Sequence, residues 1–427
     1  MKVKILSSTL SLLISIFFTS AVYSQAFPQM GCDNGNRYVN DIFTADSPAS
    51  VVQFGQNTTV NGTDVDLMMD IYEPDGDGLS QRPVIVLAFG GSFIGGDRST
   101  VEVYCREYAR KGFVTVAIDY RIYDAPLVPL PDSLDMLEVV VGAVSDMKAA
   151  VRQLRFDADN GNPYRIDPDY IFIGGVSAGA IVGLHAAYFD ANDVLPQYIL
   201  DEINAQGGFE GNSNDATLAY SSETQGVVNY FGALNDADWL GMGDAPVSSL
   251  HGTEDEIVPY GVDFANVCLF GFCIPIISME GSFVINQRAN EVGVPSHFIS
   301  VEGGGHGNFS AETYEEYRDA TALFFHNEVL CGTLTSVEDV REDVSQFVVA
   351  YPNPASNAIN INFNGLNRQY DLRVFNNVGQ LVFENPGLLQ NEVSIPVQQL
   401  AAGMYQLVIE FESDDILPVR KKIAVVR

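Results

Sequence analysis

The sequence predicts an α/β domain, a mostly parallel sheet with helices on both faces, followed by a small all-β sandwich. Three observations predict it. Between Val51 and Leu330 short apolar runs alternate with helical patterns, the signature of parallel strands joined by crossover helices and buried on both faces. After Leu330 only strand patterns and turns remain. The charge divides at the same place. Of 55 Asp+Glu and 22 Lys+Arg, the segment from Arg341 onward holds 9 acidic and 7 basic residues, which leaves 46 acidic and 15 basic in the first 340. Such different charge densities mark two modules.

Along the first module, Val65–Tyr72 reads as a strand, and Val84–Ala88 as a buried strand opened by Pro83 and closed by Gly90–Gly91. Ser99–Lys111 reads as a helix and Phe113–Asp119 as a β-branched strand. Leu134–Arg155 has helical spacing, with Val140, Val144, Met147, Val151 and Leu154 along one face. Tyr170–Gly174 is the next strand, and Ala178–Tyr188 an Ala- and Gly-rich helix. Val227–Phe231, Pro246–Leu250 and His297–Val301 read as short strands, and Ala311–Val329 closes the series as an amphipathic helix. The polar segment Asp190–Thr224 is a candidate cap or rim. Thr333–Gln346 is polar, acidic and aperiodic, and reads as a linker. Beyond it, Ala358–Phe363, Tyr370–Phe375, Gln380–Phe383, Val393–Pro396, Met404–Phe411 and Lys421–Val426 are strands separated by turns at Asn353–Pro354, Asn377–Val378–Gly379 and Ala402–Gly403. Six or seven short strands in about 80 residues predict an antiparallel sandwich.

The chain start reads as an export address: Lys2 and Lys4, an apolar stretch from Ile5 to Phe18, and small residues Val22 and Ser24 before a cut near Ser24–Gln25. The expected organisation is therefore a signal peptide (1–24), an α/β domain (25–332), a linker (333–346) and a β-sandwich (347–427). No later run of 18 apolar residues occurs, so no transmembrane segment is expected in the mature chain. A formal charge of −33 repels phosphate backbones and anionic lipid, which excludes nucleic acid as a partner and favours neutral ligands. Export permits disulfides. Of Cys32, Cys105, Cys268, Cys273 and Cys331, the pair in CLFGFC can bridge locally, and the odd count leaves at least one thiol outside an internal bridge. The spacings do not form a zinc site.

The strongest chemical signal is Gly175-Val176-Ser177-Ala178-Gly179, directly after a strand and before a helix. A tight strand-to-helix turn of this kind needs small neighbours, lifts a serine hydroxyl clear of the sheet, and leaves the Ala178 N–H at a helix N-terminus facing developing negative charge. A serine hydroxyl needs a base. Of the histidines His185, His251, His297, His306 and His326, two lie within helices, His297 opens a strand and His251 begins His-Gly-Thr at a strand end. His306 stands in Glu302-Gly-Gly-Gly-His306-Gly, a flexible loop past a strand, and is the expected base. The orienting acid is expected in Glu254-Asp255-Glu256; Asp255 is chosen because Ile257, Val258 and Pro259 pin the chain after it. Phe89-Gly90-Gly91-Ser92-Phe93 follows an early strand, so the N–H groups of Gly91 and Ser92, with Ala178, are the expected oxyanion donors.

These pieces, with Ala117-Ile-Asp-Tyr-Arg121 and Gly305-His306-Gly307, resemble the α/β-hydrolase superfamily in its carboxylesterase-like esterase/lipase branch, from about Val65 to Leu330. In that branch the oxyanion segment usually reads His-Gly-Gly-Gly. Here Phe89 and Ser92 replace the first and last positions, a change that keeps the backbone donors. The tail resembles a second family, the type IX secretion C-terminal sorting domain, through Tyr351-Pro-Asn-Pro354, Tyr370 to Gly379, Leu400-Ala-Ala-Gly-Met-Tyr405 and the closing strand from Lys421 to Val426. The resemblances imply a serine hydrolase acting on a neutral ester, small or polymeric, with the order Ser177…Asp255…His306 and no metal or organic cofactor. They also imply export through both membranes by the type IX machinery, to the medium or the cell surface. Other expectations are a serine peptidase of the same superfamily, a polysaccharide deacylase, a polyester depolymerase, or a non-catalytic binding protein on the same fold. The dipeptidyl peptidases usually carry a propeller domain for which this chain has no room.

Overall fold

The structure, a computed structural model, describes residues 37–127, 131–191, 193, 195–269, 272–331, 344, 348–363, 368–376, 380–411 and 419–427. The predicted signal peptide, nearly all of the predicted linker, Cys32 and the turn at 377–379 lie outside the described residues.

The first module is built on one eight-stranded sheet. Its strands are β1 (Ser50–Thr58), β2 (Asp64–Tyr72), β3 (Arg82–Ala88), β4 (Val114–Ile118), β5 (Ile166–Val176), β6 (Val227–Tyr230), β8 (Val247–Gly252) and β11 (Ser296–Val301). They lie in the order β1-β2-β4-β3-β5-β6-β8-β11. The β1–β2 and β2–β4 pairs are antiparallel and the rest parallel. Val84 to Ala88 and Val114 to Ile118 are fully buried, as strands covered on both faces must be. Helices α1 (Glu102–Arg110) and α6 (Ala311–Phe325) cover one face and meet through the Arg318–Glu107 ion pair at 2.9 Å. On the other face α2 (Ser133–Asp159) packs on α3 (Ala178–Tyr188), while Leu184 and Tyr188 of α3 share a core with Ile285 and Ala289 of α5 (Ser282–Val292). A capping box at Asp132 and Asp135 starts α2, satisfying the backbone N–H groups of Asp132, Leu134 and Asp135, which the first turn leaves free.

The chain runs from β3 to β4 on one side and from β4 back past β3 to β5 on the other. The β3/β5 junction is thus a switch point, where loops at the carboxyl ends of neighbouring strands diverge and leave a crevice.

Three elements escape the strand-and-helix pattern in the sequence. β1 alternates on an antiparallel edge. α4 (Gln197–Ala205) lies within the predicted cap segment and packs on α2. A hairpin of β9 (Val262–Leu269) and β10 (Phe272–Gly281), with the two-residue β7 (Ala233–Leu234), forms a separate antiparallel sheet. The disulfide Cys268–Cys273 closes the hairpin tip. Cys331 is also disulfide-bonded, and Cys105 is a buried free thiol.

The second module is all-β. A sheet of β12 (Val349–Tyr351), β13 (Ala358–Asn362) and β16 (Glu392–Pro396) faces one of β14 (Tyr370–Phe375), β15 (Leu381–Leu388), β17 (Gly403–Phe411) and β18 (Val419–Val425). Ile359, Ile361, Leu372, Val374, Ile395, Leu407 and Ile423 fill the space between them. Among the described residues no helix is long and apolar enough to cross a membrane.

The two modules meet through β18 and β17. Buried Arg420 pairs with Glu291 of α5, while Lys422 Nζ donates to the Asn235 carbonyl at 2.9 Å and lies 3.4 Å from Glu280. Met404 packs against the cluster of Ala237, Val262 and Val284. Burial pushes the Glu280 pKa up from 4.5 to about 7, against the pull of Lys422. A carboxyl raised on folding favours its protonated form, so folding is strongest below about pH 4.5 and loses this contribution as pH rises to 7. Glu280→Gln removes that dependence. The variant is expected to gain stability over wild type between pH 5 and pH 8, as thermal unfolding at both pH values would show; an unchanged difference would contradict the assignment.

Candidate active site

The crevice at the switch point collects the residues singled out in the sequence. Ser177 ends β5 with φ 55° and ψ −117° and caps α3. A non-glycine residue at positive φ is strained and is held there by its surroundings. Two forces hold it here. The Ser177 N–H donates to the Tyr230 carbonyl at 2.9 Å, and its carbonyl accepts from Ile181 N–H at 3.0 Å. Small residues let the turn press on β3: a Cβ at Gly179 would lie 2.1 Å from the Ala88 carbonyl oxygen. Gly179→Ala therefore has to move backbone against backbone. Its expected cost is about 3 kcal/mol, the upper end for overpacking. Urea unfolding checks this, and a loss below about 1 kcal/mol would mean that the elbow is looser than its contacts indicate.

His306 follows β11. Its Nε2 lies 2.8 Å from Ser177 Oγ, and its Nδ1 lies 2.8 Å from Asp255 Oδ2. The ring stands edge-on to Phe231 at 4.9 Å. The Asp255 and His306 loops are laced together: Thr253 N–H donates to Val301 O, Glu254 N–H to Gly304 O, and Gly303 N–H to Thr253 Oγ1. Three side chains separated by up to 129 residues thus form one hydrogen-bonded line.

The Asp255 side chain is fully buried. Burial by itself would raise its pKa, but hydrogen bonds from His251 and His306 and their charges hold the carboxyl well below the usual carboxylate range. The N–H groups of Ile257 and Val258 also donate to Oδ1, at 2.9 Å each, and such bonds favour the ionised form. The carboxylate is therefore ionised and fixed. Its neighbours Glu254 and Glu256 do not take part in this line of hydrogen bonds.

His251 is a residue that the sequence reading set aside. It lies fully buried, 3.3 Å from Asp255 Oδ2, with Nε2 3.1 Å from the Val258 carbonyl and Nδ1 2.7 Å from Ser282 Oγ. A donor at Nε2 satisfies both oxygens and leaves Nδ1 to accept from Ser282. Its place on β8, four residues before Asp255, was the available signal.

The loop after β3 lies against the elbow: a Cβ at Gly90 would come within 3.2 Å of the Ser177 Cβ. Ser92 and Phe93 hold φ of 52° and 62°. Tyr120 holds this loop. Its hydroxyl donates to the Phe89 carbonyl at 2.7 Å and its ring stacks on Phe89 at 4.2 Å. An aromatic ring at position 89 thus supplies packing where the related motif has histidine. Ser92 and Ala178 line the same pocket as Ser177; Gly91 lies beside them, and its carbonyl accepts from Ile94 N–H.

That pocket encloses about 660 Å³, part of it open to solvent. Met136, Leu137 and Val140 of α2, Ile181 of α3, and Ala265, Val267, Ile276, Ile277 and Met279 of the β9–β10 hairpin give it apolar walls. The predicted cap segment does not line it; the hairpin does. No charged side chain is among the described residues lining it.

Residues 69–243 match the BD-FAE family model. Together with the switch-point sheet and the elbow this decides the class. The first module is an esterase-like α/β-hydrolase. Residues 349–425 match the secretion system C-terminal sorting domain, so the hydrolase carries a tail that directs it to secretion or the cell surface. No curated protein matches the chain. Solved structures similar to the hydrolase include esterase 2 of the planctomycete Thermogutta terrifontis. Its propionate-bound form is 19% identical, with a TM-score of 0.46 over 65% of this chain and 94% of that one. The apo form is 20% identical at 0.46 over 65% and 94%, and the paraoxon-phosphorylated form 20% identical at 0.45 over 68% and 96%. The BD-FAE match includes Ser177 and stops short of Asp255 and His306.

Proposed function

We propose that the hydrolase cleaves neutral carboxylic esters through a Ser177-His306-Asp255 triad and an acyl-enzyme intermediate. The observation that carries this reading is the unbroken line from Ser177 Oγ to His306 Nε2 at 2.8 Å and from His306 Nδ1 to Asp255 Oδ2 at 2.8 Å, opening on an apolar pocket.

Ser177 Oγ attacks the ester carbonyl carbon while its proton passes to His306 Nε2. Asp255 keeps the Nδ1–H in place and stabilises the imidazolium that forms. The carbonyl oxygen becomes an oxyanion beside the N–H groups of Ser92, Gly91 and Ala178, the last at the positive end of α3. The tetrahedral species collapses, and the C–O bond to the alcohol breaks as His306 returns the proton to it. Water then attacks the acyl-enzyme by the same route and releases the carboxylic acid and Ser177. Each step conserves protons without a cofactor.

An ester is favoured over an aminoacyl amide because no carboxylate that could receive a peptide's amino terminus is among the described residues lining the pocket. The sorting domain supplies the complementary expectation that type IX secretion machinery is a partner.

A fluorophosphonate probe tests this reading. Wild type is expected to be labelled covalently and Ser177→Ala not at all. Equal labelling of both would place the nucleophile elsewhere.

A further inference from the structure

A second hollow, about 540 Å³ when the space open to solvent is counted, adjoins the pocket beside Ser177, and Leu137, Val140 and Asn235 line both. One stripe of α2 runs along the pair: Leu137 and Val140 at the junction, then Val141, Val144 and Ser145 in the second space. The opposite wall comes from the 190–224 segment, through Ile199 and Ile203 of α4 and through Phe209. Phe189 and Trp239 add rings, 4.8 Å apart between centroids, with Phe189 5.4 Å from Phe209.

The chemistry of this chamber is fixed by what its polar groups already do. Ser145 Oγ is bonded to Ser213 at 3.0 Å. His185 Nδ1 lies 2.8 Å from Ile181 O and Nε2 3.0 Å from Asn235 Oδ1; burial pushes its pKa down, which favours the neutral ring, whose one N–H donates to one of these two oxygens. Asn235 further contacts Ser278 O at 3.4 Å. None of the described lining residues is charged, in a chain of net −33. A polar ligand would lose its hydration here without gaining partners, whereas an apolar one loses nothing. The chamber is also built rather than loose. Lys148 Nζ donates to Phe209 O at 2.8 Å, Arg152 Nη1 to Glu210 O at 2.7 Å, and Arg121 Nη1 to Gln206 Oε1 at 2.9 Å, so three cations tie its wall to the main domain.

We infer that the second chamber receives the distal part of an extended aliphatic acyl group whose carbonyl sits at Ser177, so that the substrates are esters of medium- to long-chain carboxylic acids. The inference rests on the ester-hydrolase reading above. Leu137 and Val140 then act as the narrow point between a short-chain site and a long-chain site. Each methylene that passes into apolar contact is worth about a four-fold step in kcat/KM.

The test compares p-nitrophenyl butyrate with the decanoate on the full-length protein. Wild type is expected to prefer the decanoate by about 100-fold in kcat/KM, several such steps combined. Val141→Phe and Ile199→Trp, two partly exposed positions in the far chamber, are each expected to lower the decanoate-to-butyrate ratio at least about ten-fold. Trp239 is the single tryptophan of the chain and gives a readout that needs no catalysis. In Ser177→Ala, methyl decanoate is expected to change its fluorescence saturably, and methyl butyrate is not. Butyrate hydrolysis that depends on Ser177, with no gain for decanoate and no Trp239 response, would overturn the chamber assignment and leave the ester-hydrolase reading intact. Absence of all Ser177-dependent hydrolysis together with a Trp239 response to methyl decanoate would overturn the ester-hydrolase reading while supporting the chamber as an aliphatic-ligand site.

Discussion

Ser177→Ala is expected to lower kcat for ester hydrolysis by about 10⁶-fold, and His306→Ala in the same background to lower it little further. In the proposed mechanism the two side chains act as one unit. Without the hydroxyl there is no acyl-enzyme, and without the imidazole the hydroxyl keeps its proton. What remains, about 10³-fold over water, comes from binding and from the backbone donors beside the elbow. The fold should tolerate the change. The Ser177 strain lies in the backbone and its hydroxyl bonds only to His306 among the described residues, so the alanine variant should unfold at nearly the wild-type temperature. Steady-state kinetics on a chain-length series, with thermal unfolding as the control, measures both. A drop of less than about 10²-fold would mean that another nucleophile operates.

Asp255→Asn is expected to cost about 10⁴-fold in kcat. In the proposed mechanism the carboxylate does two things: it accepts the Nδ1–H that leaves Nε2 free to take the serine proton, and it opposes the charge of the imidazolium. An amide of the same size does neither. Its NH₂ can donate to Nδ1, which places the ring proton on Nε2, facing the serine. The carboxyl also ties activity to stability. Its pKa falls on folding, because hydrogen bonds and charge from His251 and His306 outweigh burial. Stability from this group is therefore present above the ordinary carboxylate range and is lost as pH falls through its depressed value. Asp255→Asn should thus destabilise the fold at pH 7 and lose its disadvantage progressively in strong acid. Denaturation at pH 7 and near pH 2 checks the sign. A variant equally destabilised at both would trace the loss to packing.

Much of the main sheet was legible because its strands are continuous apolar runs with glycine or proline at their ends. The elbow was legible because its glycines are demanded by backbone contact, as at Gly179 against Ala88. The β9–β10 hairpin was not. Its residues Val262 to Gly281 mix apolar, polar and cysteine side chains on a small antiparallel sheet apart from the main one, where buried and exposed positions do not alternate regularly. α4 was missed for a related reason: Ile203 is its single buried residue. Yet these weakly patterned segments form the walls of both cavities.

The chain order of serine, acid and histidine, the positions of the two modules, and their unequal charge are properties of the sequence alone, because each follows from local pattern or composition. Tertiary structure decided which of three adjacent carboxylates faces the imidazole, that His251 shares it, and that Tyr120 steadies the loop after β3. It also decided that a hairpin, and not the segment after the elbow, walls the pocket. Those outcomes depend on hydrogen bonds and contacts between residues far apart in the chain. Such contacts leave no period in a single sequence, since their energy arises only when separate strands end at the same edge of the sheet.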